Sequence, residues 1–104
     1  MQIAVLGGGN GSFAAAGDLT MAGHEVRLWR RDAQAVAAHR DAGRRVLVKD
    51  FKGRHDVVLA GVTGDMADAV RGAELILCPA PATAQADIAK VLAPHLEEDR
   101  KSVV

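Results

Sequence analysis

The stretch Ile3-Ala4-Val5-Leu6-Gly7-Gly8-Gly9-Asn10-Gly11-Ser12 runs an apolar segment straight into glycines. A small-residue helix pattern follows, and then Gly23-His24-Glu25-Val26-Arg27-Leu28-Trp29-Arg30-Arg31. Strand, glycine turn, helix and second strand in that order make a βαβ unit that opens almost at the first residue. The helix N-terminus and several backbone N–H groups with no side chain in front of them then meet at one point. Such a point attracts anions, and in this setting it suits a pyrophosphate.

Each small residue in the motif has its own mechanical task. In the register Gly7-x-Gly9-x-x-Ser12, Gly7 allows the tight turn out of the strand and Gly9 lets a pyrophosphate approach the backbone. Ser12 then occupies the close helix-to-strand contact, where Gly or Ala is usual. Ala16 lies one turn further along the same helix face, and Gly23 suits a left-handed helix cap. Gly9-x-Gly11-x-x-Ala14 is a second register, less favoured because Gly7 falls directly where the apolar run ends. A Walker-type loop is excluded, since none of Lys49, Lys52, Lys90 or Lys101 follows a glycine. A nucleophile elbow is excluded too, because Asn10 and Ala14 stand where glycines would have to flank Ser12.

The chain has 104 residues, enough for one domain over 1–104, and its 49% apolar content can form a core built mainly from Ala, Val and Leu. Thirteen basic residues balance thirteen acidic ones, which argues against nucleic acid or another polyanion as the main partner. Cys78 is the single cysteine, so an internal disulfide is impossible, and no metal-ligand spacing links it to His24, His39, His55 or His95. These four histidines are expected as solvated surface residues, with His55 and His95 in turns. No apolar run approaches the ~20 residues that cross a bilayer, and no basic region precedes the first apolar segment. A reducing cytoplasm fits best. The final Lys101-Ser102-Val103-Val104 reads as the opening of another strand, so truncation within or just after a fifth strand is expected.

Patterning gives strands at 2–6 and 25–29, a helix over 12–22 with Phe13, Ala16, Leu19 and Thr20 inward, and a helix over 33–42 capped by Asp32 and closed by Gly43. Residues 46–49 and 56–60 read as a hairpin-like excursion around strand three. Asp65 caps a short helix ending at Gly72, strand four covers 73–78, and a helix spans about 83–92 after Pro79-Ala80-Pro81. Strands alternating with helices imply an α/β fold, a Rossmann-type doubly wound and mainly parallel sheet, here its N-terminal half. Residues 7–12, 29–32 and 78–83 then share the carboxyl edge of the sheet, beside the switch between strands one and four.

NAD-selective versions of this fold carry an acidic residue at the end of strand two, and that place falls on Arg30, followed by Arg31. A guanidinium cannot accept from a ribose hydroxyl but can hold a 2′-phosphate, so NADP is favoured and NAD remains the alternative. Alternatively, one arginine simply stacks on adenine whatever the 2′ substituent. Cys78 reads as an inert thiol at a strand end, and Thr83 and Gln85 either touch the cofactor or merely begin a helix.

Gly7-Gly8-Gly9-Asn10-Gly11-Ser12, Gly23 to Trp29, Thr63 before Asp65, and Pro81-Ala82 resemble the N-terminal domain of the opine dehydrogenase family, over essentially the whole chain. The segment from Gly23 to Asp32 is also similar to glycerol-3-phosphate dehydrogenase, and the layout to ketopantoate reductase. The opine resemblance implies an enzyme that joins a 2-oxo acid to an amino acid's amine with hydride from NAD(P)H. It places Gly7, Gly9, Asn10, Gly11 and Ser12 on the pyrophosphate, Arg30 and Arg31 at the adenosine end, and Pro81 and Ala82 on the crevice wall. Ser12 departs from the family's Gly or Ala, and Ala84-Gln85 stands where the family has a histidine. The resemblance also implies a helical C-terminal domain that binds the amino-acid and 2-oxo-acid substrates and supplies acid–base groups, so no residue here is assigned as catalytic. A dinucleotide-sensing module without chemistry is the alternative from another class.

Overall fold

The computed structural model describes residues 1–7, 9–50, 53–79, 82–95 and 102–103. Strand β1 (Gln2–Leu6) is buried from Ile3 onward, as befits a strand covered on both faces. It lies between β2 (Glu25–Trp29) and β6 (Leu75–Leu77) in a parallel sheet, with β5 (Gly61–Thr63) outside β2 and β7 (Ser102–Val103) outside β6. The order β5-β2-β1-β6-β7 reverses direction at β1, the switch point of a doubly wound sheet.

Side chains of β1 alternate between two cores, with the period of two that extended chain imposes. Ile3 and Val5 pack with Val26, Leu28 and Ala16 on the face covered by α1 (Asn10–Met21) and α2 (Ala33–Asp41). Ala4 and Leu6 pack with Trp29, Met66, Ile76 and Ile88 on the face covered by α3 (Met66–Val70) and α4 (Ala82–Leu92). Asp32 caps α2 by accepting from the Gln34 and Ala35 amides, and Asp65 caps α3 through the Ala67 amide. Gly23 ends α1 at φ +98°, where its amide reaches Thr20 O and that of His24 reaches Leu19 O, the paired bonds of a Schellman stop.

The expected hairpin-like excursion is present, whereas the place of the third parallel strand and the start of α1 are corrected. The third parallel strand is β5, after the excursion rather than within it, and only three residues long; flanked by Ala60 and Gly64, it leaves no apolar pattern to detect. The excursion itself is a separate antiparallel hairpin, β3 (Arg45–Asp50) with β4 (Gly53–Val58). Helix α1 also begins two residues before Ser12, because the Phe13 amide already bonds to Gly9 O. Lys101 and Val104, assigned to strand five, lie outside the described residues.

The hairpin rests on α1 at Gly17, where an added Cβ would run into Val48 and stand 3.2 Å from Val46. The open edge of the sheet is closed by side chains. Arg40 Nε donates to Val62 O at 2.6 Å and Arg44 Nη1 to Ala60 O at 2.9 Å, covering carbonyls of β5 and of the residue just before it on the side that has no strand. Among the described residues no helix is long and apolar enough to cross a membrane.

Gly17→Val should force the hairpin off the helix and cost about 1–3 kcal/mol, as overpacking does. A lower urea midpoint at unchanged m would show it, and an unchanged midpoint would contradict this packing.

Candidate functional site

The chain leaves β1 at Gly7, whose φ of +123° is open to glycine alone, and the Gly7 amide donates to Trp29 O at 2.8 Å. A Cβ on Gly7 would stand 3.1 Å from Ser12 Oγ, and Ser12 is 1% exposed. The turn residue and the third small position of the motif therefore face each other, which fixes the register that starts at Gly7. Serine is small enough for that third position and is buried there, where the helix meets the end of the strand.

Gly9 behaves differently. Its backbone is extended (φ −83°, ψ 173°), a conformation any residue adopts, and nothing lies within 4 Å of where its Cβ would be. Gly9 is also the N-cap of α1 and supplies no side-chain hydrogen bond, so the amides of Asn10, Gly11 and Ser12 have no partner inside the helix. No acidic residue stands in this first turn. An open cradle above uncapped amides of a 12-residue helix is the donor set that a pyrophosphate fits. Gly11 answers to a second constraint, since its Cβ would stand 3.4 Å from Pro79 O in the loop after β6. The start of α1 and the loop after β6 thereby lie in close contact at the switch point.

At the end of β2 the two arginines part to opposite faces, so they do not form a single clamp. Arg30 is half-buried, with its Cζ 5.1 Å from the centroid of the Phe13 ring. It lies in a cleft of about 660 Å³ whose walls also include Ala38, His39, Arg45 and Val46. Arg31 turns the other way, and its Nη1 lies 4.0 Å from Asp87 Oδ2 on α4 with both side chains more than half exposed. Such an exposed pair holds its partners weakly.

The opposite wall of the crevice follows β6. Cys78 packs against the α3/α4 core, and Gln85 Nε2 donates to Cys78 O at 3.1 Å, tying α4 to this loop. Ala82 begins α4, whereas Pro81 lies outside the described residues. Trp29 at the end of β2 is a core residue, 3% exposed, with Nε1 donating to Gly64 O. His39 is half-buried rather than solvated: its Nε2 is 2.9 Å from Arg45 O and its ring meets Phe13 edge-on. His55 sits in β4, not in a turn. Sequence reasoning missed the Phe13, Arg30 and His39 group. The available signal was an aromatic residue directly after the glycine motif, on the helix that must pack beside the end of β2.

The family described as the NAD-dependent glycerol-3-phosphate dehydrogenase N-terminus matches residues 2–104. The chain belongs to this family. Among proteins similar to it is a glycerol-3-phosphate dehydrogenase [NAD(P)+] of Pseudomonas syringae, 39% identical over 98 residues, covering 91% of this chain and 26% of the relative. An opine dehydrogenase of Arthrobacter is 36% identical over 101 residues, again covering 91% and 26%. A ketopantoate reductase from Ralstonia eutropha superposes with a TM-score of 0.81 at 29% identity, covering 99% of this chain and 33% of that one. The chain thus spans about a quarter to a third of the proteins it matches. The family shown is one of those named from sequence, and opine dehydrogenases stand among its relatives rather than defining it.

Gly7→Ala should lower stability by about 1–3 kcal/mol, because the backbone there is closed to L-residues. An unchanged melting temperature would contradict the turn geometry.

Proposed function

We propose that this chain is the cofactor-binding portion of an NAD(P)-dependent dehydrogenase. One observation carries the reading: the uncapped start of α1 opens onto empty space in front of Gly9 at the sheet's switch point. Gly7, Gly9, Asn10, Gly11 and Ser12 would hold the pyrophosphate, Gly7 and Ser12 by shaping the turn and the others by presenting amides or leaving room. Arg30 and Arg31 would serve the adenosine end, and Pro81 and Ala82 the crevice wall. When bound, the nicotinamide supplies or accepts hydride. Arg30 stands where an NAD-type site has its carboxylate and favours the 2′-phosphate of NADP through charge-assisted bonds. Arg31 adds less, since Asp87 opposes the approach of a further negative group.

Acid–base groups and the substrate site would come from the part of the relatives that this chain does not span. The family match favours glycerol 3-phosphate as substrate. A second reading, formation of N-(carboxyalkyl) amino acids from an amino acid and a 2-oxo acid, is favoured by Gly9-Asn10-Gly11 and by the opine dehydrogenase relative. A reducing cytoplasm suits the unpaired Cys78.

Gly9→Val should abolish binding of both NADP+ and NAD+ in isothermal titration while leaving the melting temperature unchanged, because its Cβ fills the cradle and touches no protein atom. Binding that survives this substitution would overturn the site. For a protein in which this stretch is joined to the remainder found in its relatives, oxidation of NADPH on adding dihydroxyacetone phosphate is the expected turnover. Oxidation only with pyruvate plus an amino acid would favour the second reading, and tight cofactor binding without turnover of either would favour a sensing module.

A further inference from the structure

We propose that Phe13 is a positioning residue for cofactor choice: its ring holds the Arg30 guanidinium ready for the adenosine 2′-phosphate. The inference rests on the reading of Arg30 given above. A guanidinium on a long side chain explores many rotamers in water, and any anion it binds must first order it. Here Arg30 lies over the Phe13 ring with its Cζ 5.1 Å from the centroid. A guanidinium held by cation–π contact with one ring still has N–H donors to offer phosphate oxygens. Among the described residues no carboxylate pairs with Arg30, in contrast to Arg31 and Asp87.

The ring is itself braced. His39 meets it edge-on, with centroids 6.0 Å apart and planes at 67°, and the His39 Nε2 is bonded to the backbone carbonyl of Arg45. Strand β3 therefore fixes His39, His39 steadies Phe13, and Phe13 orders Arg30, all along one cleft. Phe13 directly follows Ser12, so the first turn of α1 supplies both the amides that meet the pyrophosphate and the platform beneath the arginine. Preference for the phosphorylated cofactor thereby depends on a side chain that need not touch the phosphate.

The test measures dissociation constants of NADP+ and NAD+ for the full chain and for Arg30→Ala, Phe13→Leu, Phe13→Met and Phe13→Tyr. The ratio of the two constants is the readout, since the cofactors differ only in the 2′-phosphate and a packing defect moves both alike. Arg30→Ala should cut the preference for NADP+ by about tenfold or more. Phe13→Leu and Phe13→Met should cut it by about two- to fivefold with NAD+ affinity unchanged, and Phe13→Tyr should keep it. Two apolar replacements are used so that one failing to fold leaves the other to decide. If Arg30→Ala lowers the ratio and neither apolar variant does, or if both cofactors weaken equally, the role of Phe13 is overturned while that of Arg30 stands. If Arg30→Ala leaves the ratio unchanged, the NADP reading itself fails.

Discussion

Amides at the first turn of α1 have no carbonyl to meet inside the helix, and the chain leaves them uncapped in front of an open space. Uncapped amides in a stable helix ask for an external acceptor, and the helix dipole makes that acceptor an anion. The neighbouring structure serves to place this point. Burial of β1 on both faces fixes where the strand ends, the reversed backbone at Gly7 starts the helix at once, and Ser12 and Ala16 keep it close to the sheet. Gly17 lets the hairpin close over the helix's outer side. A larger residue at 12 or 16 would move the helix and carry its amides away from the sheet edge.

Much of this was legible in sequence because local chemistry specified it. The apolar run into Gly7, the Asp32 cap and the Gly23 stop each act within a few residues, and the structure has all three. What escaped detection depends on contacts between distant segments. Strand β5 is too short to carry a pattern and exists because β2 offers it an edge that Arg40 and Arg44 then seal. Gly17 carries no sequence signal and Gly11 reads only as a pyrophosphate residue, yet the size of each also answers, respectively, to Val48 and to Pro79. Sequence puts Arg30 and Arg31 together at the adenosine end, but successive residues leaving a strand point to opposite faces, and the structure sends Arg30 to Phe13 and Arg31 to Asp87.

The same geometry explains why glycerol-3-phosphate dehydrogenases, an opine dehydrogenase and a ketopantoate reductase all match one stretch of about a hundred residues. A turn, a helix start and a crevice hold a dinucleotide without reference to what is reduced, so the fold half carries little substrate information.

The central claim is that the start of α1 is where an anionic cofactor is held. Following backbone amide resonances of the protein while NADP+ is added tests it most directly. The amides of Gly9, Asn10, Gly11 and Ser12 should move first and furthest, saturating together with Arg30. Shifts confined to other parts of the chain, with those four amides unmoved at saturation, would contradict the account.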